Sequence, residues 1–281
     1  MKILPALLLA GLVGATGALA QTKEPVDAGP YVPSPQSVVA DMLKLASVGA
    51  KDFVVDLGSG DGRIVLTAAK VFGASGFGVE IKPELVKESN EAAKIQGVSD
   101  RVKFITQDLF KTDISKATVL TMYLLPNTVN MLKDKLLAEL RPGTRILSHD
   151  YPLSGWVPEK YVQMDLEDKV AISGVTTTLI YLYLVPAKVA PSWNATMPAA
   201  VSKEPVRLNL RQQITRVSGM ARLGGKDVVV EDGIVRGEKI SFRLLANGRS
   251  HEFSGTIKGG VIDGTVEVAG TKAAWSAALA K

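Results

Sequence analysis

The sequence contains no cysteine, which removes disulfide frameworks, thiolate metal sites and cysteine nucleophiles together. Its two histidines, His149 and His251, are too few for a histidine-based metal centre. Charged residues make up 22% and hydrophobic residues 46%, and the mean hydropathy is only slightly positive. That balance excludes both an intrinsically disordered chain and a multi-span membrane protein. A globular fold is expected, and 281 residues allow one large domain or two ordinary ones.

The first twenty residues read differently from the rest. Lys2 precedes an apolar run from Ile3 to Val13, and small residues ending in Ala18-Leu19-Ala20 precede Gln21, which is the order of a secretory signal. The pattern predicts export, to the periplasm or extracellular space, with cleavage after Ala20. The alternative is an uncleaved membrane anchor, for which the apolar stretch is short and interrupted by Pro5 and glycines. Without this segment, residues 21–190 carry 19 basic and 20 acidic side chains, whereas residues 191–281 carry 13 basic and 8 acidic. All the net basic character therefore lies in the C-terminal third. No arginine-rich run accompanies it, so no nucleic-acid partner is expected.

Strand and helix patterns alternate along residues 35–148. Val38, Val39, Met42, Leu43 and Ala46 recur at helical spacing behind Pro35. After Gly49 comes the β-rich run Asp52-Phe-Val-Val-Asp-Leu57, then a glycine loop opening into a helix from Ile64. Strands follow at 76–80, 102–106, 118–123 and 144–148, with helices from Pro83 to about Gly97 and over 128–140. Such alternation predicts a mostly parallel sheet covered on both faces. Segments 160–168 and 175–185 follow one another without a helical pattern between them and read as an antiparallel pair completing the sheet.

The prolines from Pro186 to Pro198 mark a linker, with a domain boundary near 190. Beyond it, seven short β-type runs between 206 and 278 are separated by Gly224-Gly225, Asp232-Gly233, Asn247-Gly248 and Gly259-Gly260. The expected organisation is a signal at 1–20, an α/β domain at 21–190 and a small antiparallel β sheet or barrel at 195–281, its core built on Phe242, Phe253 and Trp275.

The chemistry is concentrated in Asp56-Leu-Gly58-Ser-Gly60-Asp-Gly62-Arg63. Glycines at alternate positions let a loop turn sharply and let a ligand lie against bare backbone. Glu80 ends the next strand 24 positions after Asp56, where a carboxylate can take ribose hydroxyls. Asp61 stands where a pyrophosphate would sit, which disfavours a dinucleotide and suits a ligand with a cationic amino-acid head.

These residues resemble the first motif of class I S-adenosylmethionine-dependent methyltransferases, with Gly78-Val-Glu80 similar to the ribose motif and Gln107-Asp108-Leu109 to the adenine-contacting one. Tyr31-Val-Pro33-Ser-Pro35, Asp108-Leu-Phe110 and Tyr151-Pro152 with Trp156 further resemble the lysine methyltransferases of the ATP-synthase c-subunit and the adenine-nucleotide translocase. The resemblance covers about residues 30–186. It implies a seven-stranded Rossmann-like methyltransferase sheet, with the all-β C-terminal domain left unexplained. It further implies that Asp56, Gly58, Gly60 and Gly62 shape the methionine side of an S-adenosylmethionine pocket, that Glu80 holds the ribose and Asp108 lies near the adenine amine, and that Tyr31 to Pro35, with Tyr31 and Pro33 foremost, cap the cofactor and help shape the acceptor channel.

Methyl transfer needs alignment, a neutral nucleophile and a dry pocket rather than a covalent protein intermediate. Tyr123, Tyr151 and Trp156 lie at strand ends or in the loops that follow, where aromatic faces could hold an amine cation, and His149 or Asp150 could accept its proton. The segment Met122-Tyr-Leu-Leu-Pro-Asn127 lacks the Asn-Pro-Pro-Tyr pattern of enzymes that methylate exocyclic or amide nitrogens. Three readings follow: a methyltransferase acting on a protein lysine, one acting on a small molecule or lipid, and a non-enzymatic binding protein retaining the fold. The basic C-terminal domain suggests contact with an envelope polymer or membrane surface.

Overall fold

The computed structural model describes residues 30–280, and the expected signal at 1–20 lies outside them. Helix α1 (Gln36–Leu45) buries Val38, Val39, Met42 and Leu43. Then come β1 (Phe53–Leu57), α2 (Arg63–Phe72), β2 (Ser75–Glu80), α3 (Pro83–Ile95), β3 (Val102–Thr106) and β4 (Val119–Met122). The helix expected over 128–140 is two pieces, α4 (Pro126–Met131) and α5 (Lys133–Glu139), meeting at Leu132. Strands β5 (Arg145–His149), β6 (Lys160–Asp165) and β7 (Thr177–Leu184) finish the unit, with α6 (Glu167–Ser173) between the last two.

The seven strands lie in the order β3-β2-β1-β4-β5-β7-β6, all parallel except β7. Along β1, Val54 faces the cluster under α1, α2 and α3, while Val55 and Leu57 face the cluster under α4 and α5. Burial on both faces is why the strand reads as an unbroken apolar run rather than an alternation. Chain order runs one way from β1 to β3 and the other way from β4, so the crevice at the carboxyl ends of β1 and β4 is the switch point where such sheets bind ligands.

Two expectations need correction. The chain between the last two strands of the sheet is helical, and α6 escaped notice because its described side chains invert the amphipathic pattern: Val170 and Ala171 face solvent while Lys169 is 3% exposed. The proline-rich linker contains β8 (Ser192–Thr196), whose Trp193 and Ala195 are buried. With β9 (Val206–Gln213), β10 (Arg216–Leu223), β11 (Lys226–Arg236), β12 (Lys239–Ala246), β13 (Arg249–Lys258), β14 (Val261–Val268) and β15 (Thr271–Leu279), it closes an antiparallel barrel in the order β10-β11-β12-β13-β14-β15-β8-β9. Phe242 and Phe253 stack 4.9 Å apart inside it, and Trp275 meets both edge-on. These aromatic contacts add to the burial that holds the barrel core together. The barrel touches the sheet unit where Ala187 N–H donates to the Gly237 carbonyl at 2.7 Å and Arg236 pairs with Glu159 at 3.1 Å.

Candidate active site

The loop between β1 and α2 makes the floor of the cleft. Gly58, Gly60 and Gly62 all have φ between 52° and 80°, which side chains disfavour. The Gly58 and Ser59 N–H groups donate to the Val79 carbonyl at 2.9 Å, and Gly60 N–H donates to Glu80 Oε2 at 3.0 Å. Glu80 Oε1 accepts from the Ile81 and Lys82 N–H groups. Its carboxylate is thus fixed at the end of β2 by backbone donors rather than left to rotate. A Cβ on Gly60 would come within 2.3 Å of the Tyr31 ring, so the capping segment lies directly on bare loop backbone.

Of the residues expected to hold the cofactor, Tyr31, Pro33, Asp56, Gly58, Gly60, Glu80 and Asp108 line a cleft of about 930 Å³, counting its open mouth. Gly62 is the exception: it caps α2, and a Cβ there would strike Phe104 and Ser89, so it serves packing. Asp108 reaches the cleft while its Oδ1 accepts from the Phe110 N–H at 2.8 Å. Asp61 also changes its meaning. Arg63 holds its carboxylate with three hydrogen bonds of 2.5–3.0 Å and reaches the Ser34 carbonyl at 2.7 Å. Burial opposes the Asp61 charge, but Arg63 outweighs it and keeps the carboxyl below its ordinary range. The pair ties the capping segment to the loop, a role that spacing alone did not reveal, and Asp61 is not a free anion awaiting a cation.

The remaining lining fits a hydroxyl- and amine-bearing nucleoside without phosphates. Glu80 and Asp108 offer acceptors at adjacent strand ends, and the buried Ser59 hydroxyl has no hydrogen-bond partner among the described residues. Beneath them Asp56, 2% exposed, accepts from the Thr121 hydroxyl of β4 at 2.7 Å.

Tyr123, following β4, is the wall opposite Glu80 and belongs to a second network. Its hydroxyl donates to Asp150 Oδ2 at 2.9 Å, its ring lies 3.9 Å from the His149 ring centroid, and Tyr151 stacks on it at 6.5 Å. His149 is fully buried, shares a 2.8 Å hydrogen bond between Nδ1 and Ser34 Oγ, and has no hydrogen-bond partner for Nε2 among the described residues. Burial pushes its pKa down to about 4, more than Asp150 raises it, so the imidazole is neutral near pH 7. Asp150 sits at φ 63°; burial works against its charge, but His149, the Lys169 ammonium, the Leu179 N–H and the Tyr123 hydroxyl hold its carboxyl below the ordinary range. Trp156 is not part of this wall: it is buried against Tyr183. Thr121 and Lys169 are site residues that the sequence did not single out, and the parts played by Ser34 and Arg63 within their motifs were not read from it.

Fold and cleft together define a class I S-adenosylmethionine-dependent methyltransferase. Residues 56–160 match the ANTKMT methyltransferase domain. The chain is 43% identical over 157 residues to a protein-lysine N-methyltransferase of Saccharolobus islandicus (strain REY15A), covering 56% of this chain and 93% of that one. The chain belongs to this methyltransferase family. It is 36% identical over 130 residues to the lysine N-methyltransferase of the ATP-synthase c-subunit from Xenopus laevis, covering 46% of this chain and 57% of the frog protein. A crystal structure of an RNA methyltransferase from Salinibacter ruber in complex with S-adenosyl-L-homocysteine is similar at 45% identity and a TM-score of 0.51, covering 57% of this chain and 97% of that one. These alignments cover between 46% and 57% of this chain.

The buried Asp56 sets a pH signature. Burial pushes its carboxyl up to about 7, with Glu80 and Asp61 adding to the rise and the Thr121 hydroxyl opposing it. Between about pH 4 and that value the folded protein keeps a proton that the unfolded chain has released, so this group's contribution to stability falls as pH rises through the window. Asp56→Asn should flatten the slope by up to about 1.4 kcal/mol per pH unit. Urea midpoints of the two proteins at the ends of the window check it.

Proposed function

We propose that this protein transfers a methyl group from S-adenosylmethionine to lysine side chains of a protein acceptor. The observation that carries the reading is the 43% identity across 93% of a protein-lysine N-methyltransferase. When bound, the cofactor supplies an activated methyl on a sulfonium sulfur and leaves as a neutral thioether. Glu80 and Asp108 would accept hydrogen bonds from its hydroxyl and amino groups, and Tyr31 and Pro33 would close over it. The acceptor ammonium first gives a proton to solvent, a loss favoured in a poorly solvated cleft. The freed amine would be the nucleophile, and the bound cofactor would supply the methyl, the electron pair of the broken bond remaining on its sulfur. Tyr123 and Tyr151 offer faces to the incoming cation. His149, neutral and buried, supports the Tyr123 ring.

The test pairs binding with transfer. Glu80→Ala removes a charged hydrogen-bond acceptor and should weaken cofactor binding about ten- to a hundredfold in calorimetry. The wild-type protein with labelled cofactor should place label on lysines of a protein extract, read as mass shifts of methylated peptides. Label confined to lipid, small molecules or RNA would overturn the lysine reading, and absence of cofactor binding would favour a binding protein on this fold.

We further propose that the barrel contacts an anionic envelope or membrane surface. Strands β15, β8, β9 and β10 are neighbours and carry Lys272, Arg207, Arg211, Arg216 and Arg222 with no acidic residue, while on β11 to β14 basic and acidic residues are equal in number. Arg207 even faces Arg222 directly across the ladder, an unfavourable pairing. Vesicles containing phosphatidylglycerol should sediment the protein at low salt, and vesicles of phosphatidylcholine should not. Replacing Arg207, Arg211 and Arg216 by Gln should abolish the difference; if the triple variant binds like wild type, the barrel reading falls. Export rests on residues 1–20, with a chain beginning at Gln21 expected in mass spectra of the native protein and a cytosolic pool retaining Met1 counting against it.

A further inference from the structure

Lys169 is the one buried lysine or arginine among the described residues. Its Nζ lies 2.8 and 2.7 Å from the two Asp150 carboxylate oxygens and 2.5 Å from the Thr177 carbonyl. It thus presents a primary alkylammonium to the carboxylate that accepts from Tyr123, the residue that walls the cofactor cleft. We propose that the Asp150 carboxylate, with the Tyr123 hydroxyl beside it, is the seat for the acceptor's alkylammonium group, and that Lys169 fills it until an acceptor lysine takes its place. The inference rests on reading the acceptor as a lysine.

Three features support a replaceable occupant over a structural ion pair. A buried ion pair adds little net stability, because desolvating both charges offsets their attraction. Yet α6 turns Lys169 inward and leaves Val170 47% exposed, an arrangement that stability alone does not favour. Second, Asp150 is held independently of Lys169. Its N–H donates to the Leu179 carbonyl at 2.7 Å, its Oδ1 accepts from the Leu179 N–H at 3.0 Å, and its Oδ2 accepts from Tyr123. The seat therefore keeps its shape when the ammonium leaves. Third, the surroundings of Asp150 are aromatic, and one of the rings reaches solvent. Tyr161, 64% exposed, stacks on Tyr181 at 6.3 Å, and the Tyr181 hydroxyl feels the Asp150 charge. With Tyr151 stacked on Tyr123, whose hydroxyl bonds the half-buried carboxylate, these rings offer faces near the seat that can attract a cation.

The full chain tests this with n-butylammonium and a short lysine peptide as probes. In the wild-type protein, Lys169 should resist an amine-acylating reagent and become reactive when the lysine peptide is added, but not when the same peptide carries norleucine in place of lysine. Because an internal occupant lowers the competent fraction, Lys169→Met should bind n-butylammonium roughly tenfold more tightly and lower the peptide KM by a similar factor. Adding Asp150→Asn should remove both gains. A purely structural Lys169 would give a lower Tm with no gain in amine binding and no peptide-dependent reactivity in the wild-type protein, and that result overturns the proposal. The two readings separate cleanly: lysine methylation that is indifferent to these variants sinks the seat and spares the acceptor reading. Tighter butylammonium binding without lysine methylation keeps the seat as an amine site and sinks the acceptor reading.

Discussion

The 2.7 Å hydrogen bond from Thr121 to the buried Asp56 joins β1 to β4 at the point where strand order reverses. Both walls of the cleft grow from this junction. The glycine loop leaves β1 directly above Asp56, and Tyr123 leaves β4 two residues after Thr121. A carboxylate in so dry a place is costly unless it is hydrogen-bonded or protonated. Its environment supplies the first through Thr121 and favours the second through burial beside two other acids. Cleft geometry and the protonation of one buried group are therefore coupled: a change in charge below the loop is felt by the backbone that supports Glu80.

The capping segment is secured by the same economy of contacts. Ser34 serves twice, its carbonyl accepting from Arg63 and its hydroxyl bonding His149. One short stretch before α1 is thus tied to the start of α2 and to the end of β5, so the two sides of the cleft share a support. All six tyrosines of the chain lie in the sheet unit and none in the barrel. Residues that combine a ring face with a hydroxyl are thus concentrated in the unit that holds the half-buried Asp150 carboxylate, which one of them bonds.

What the sequence disclosed followed from how local each signal was. Strand, glycine loop and helix are contiguous, and the acid after β2 lies at a spacing set by one βαβ turn, so the cleft lining was legible except at Gly62. There the same lack of a side chain serves Phe104 and Ser89 rather than a ligand, and composition does not separate the two uses. The Asp61 to Arg63 pairing was close in sequence yet hidden, because spacing does not tell whether two charges face each other or solvent. His149 and Ser34 meet across 115 positions, beyond any local pattern. Helix α6 was missed because pattern reading assumes apolar side chains turn inward, and here Lys169 does. Strand β8 was read as linker because flanking prolines mark breaks, although a short strand between two prolines can still close a barrel.

Barrel closure gives the C-terminal unit an electrical polarity that its sequence order conceals. The basic strands are separated along the chain, β15 at one end and β8 to β10 at the other, and they become neighbours only when the first and last strands pair. A body neutral on one half and cationic on the other carries a permanent moment, and in the field of any charged boundary it experiences a torque before contact, within the screening distance of about 10 Å at 0.1 M salt. The Arg236 to Glu159 pair and the Ala187 to Gly237 hydrogen bond couple the barrel to the sheet. That torque therefore reaches the catalytic unit as well, so ionic strength would govern not only how often the molecule meets a charged boundary but which way its cleft faces when it arrives.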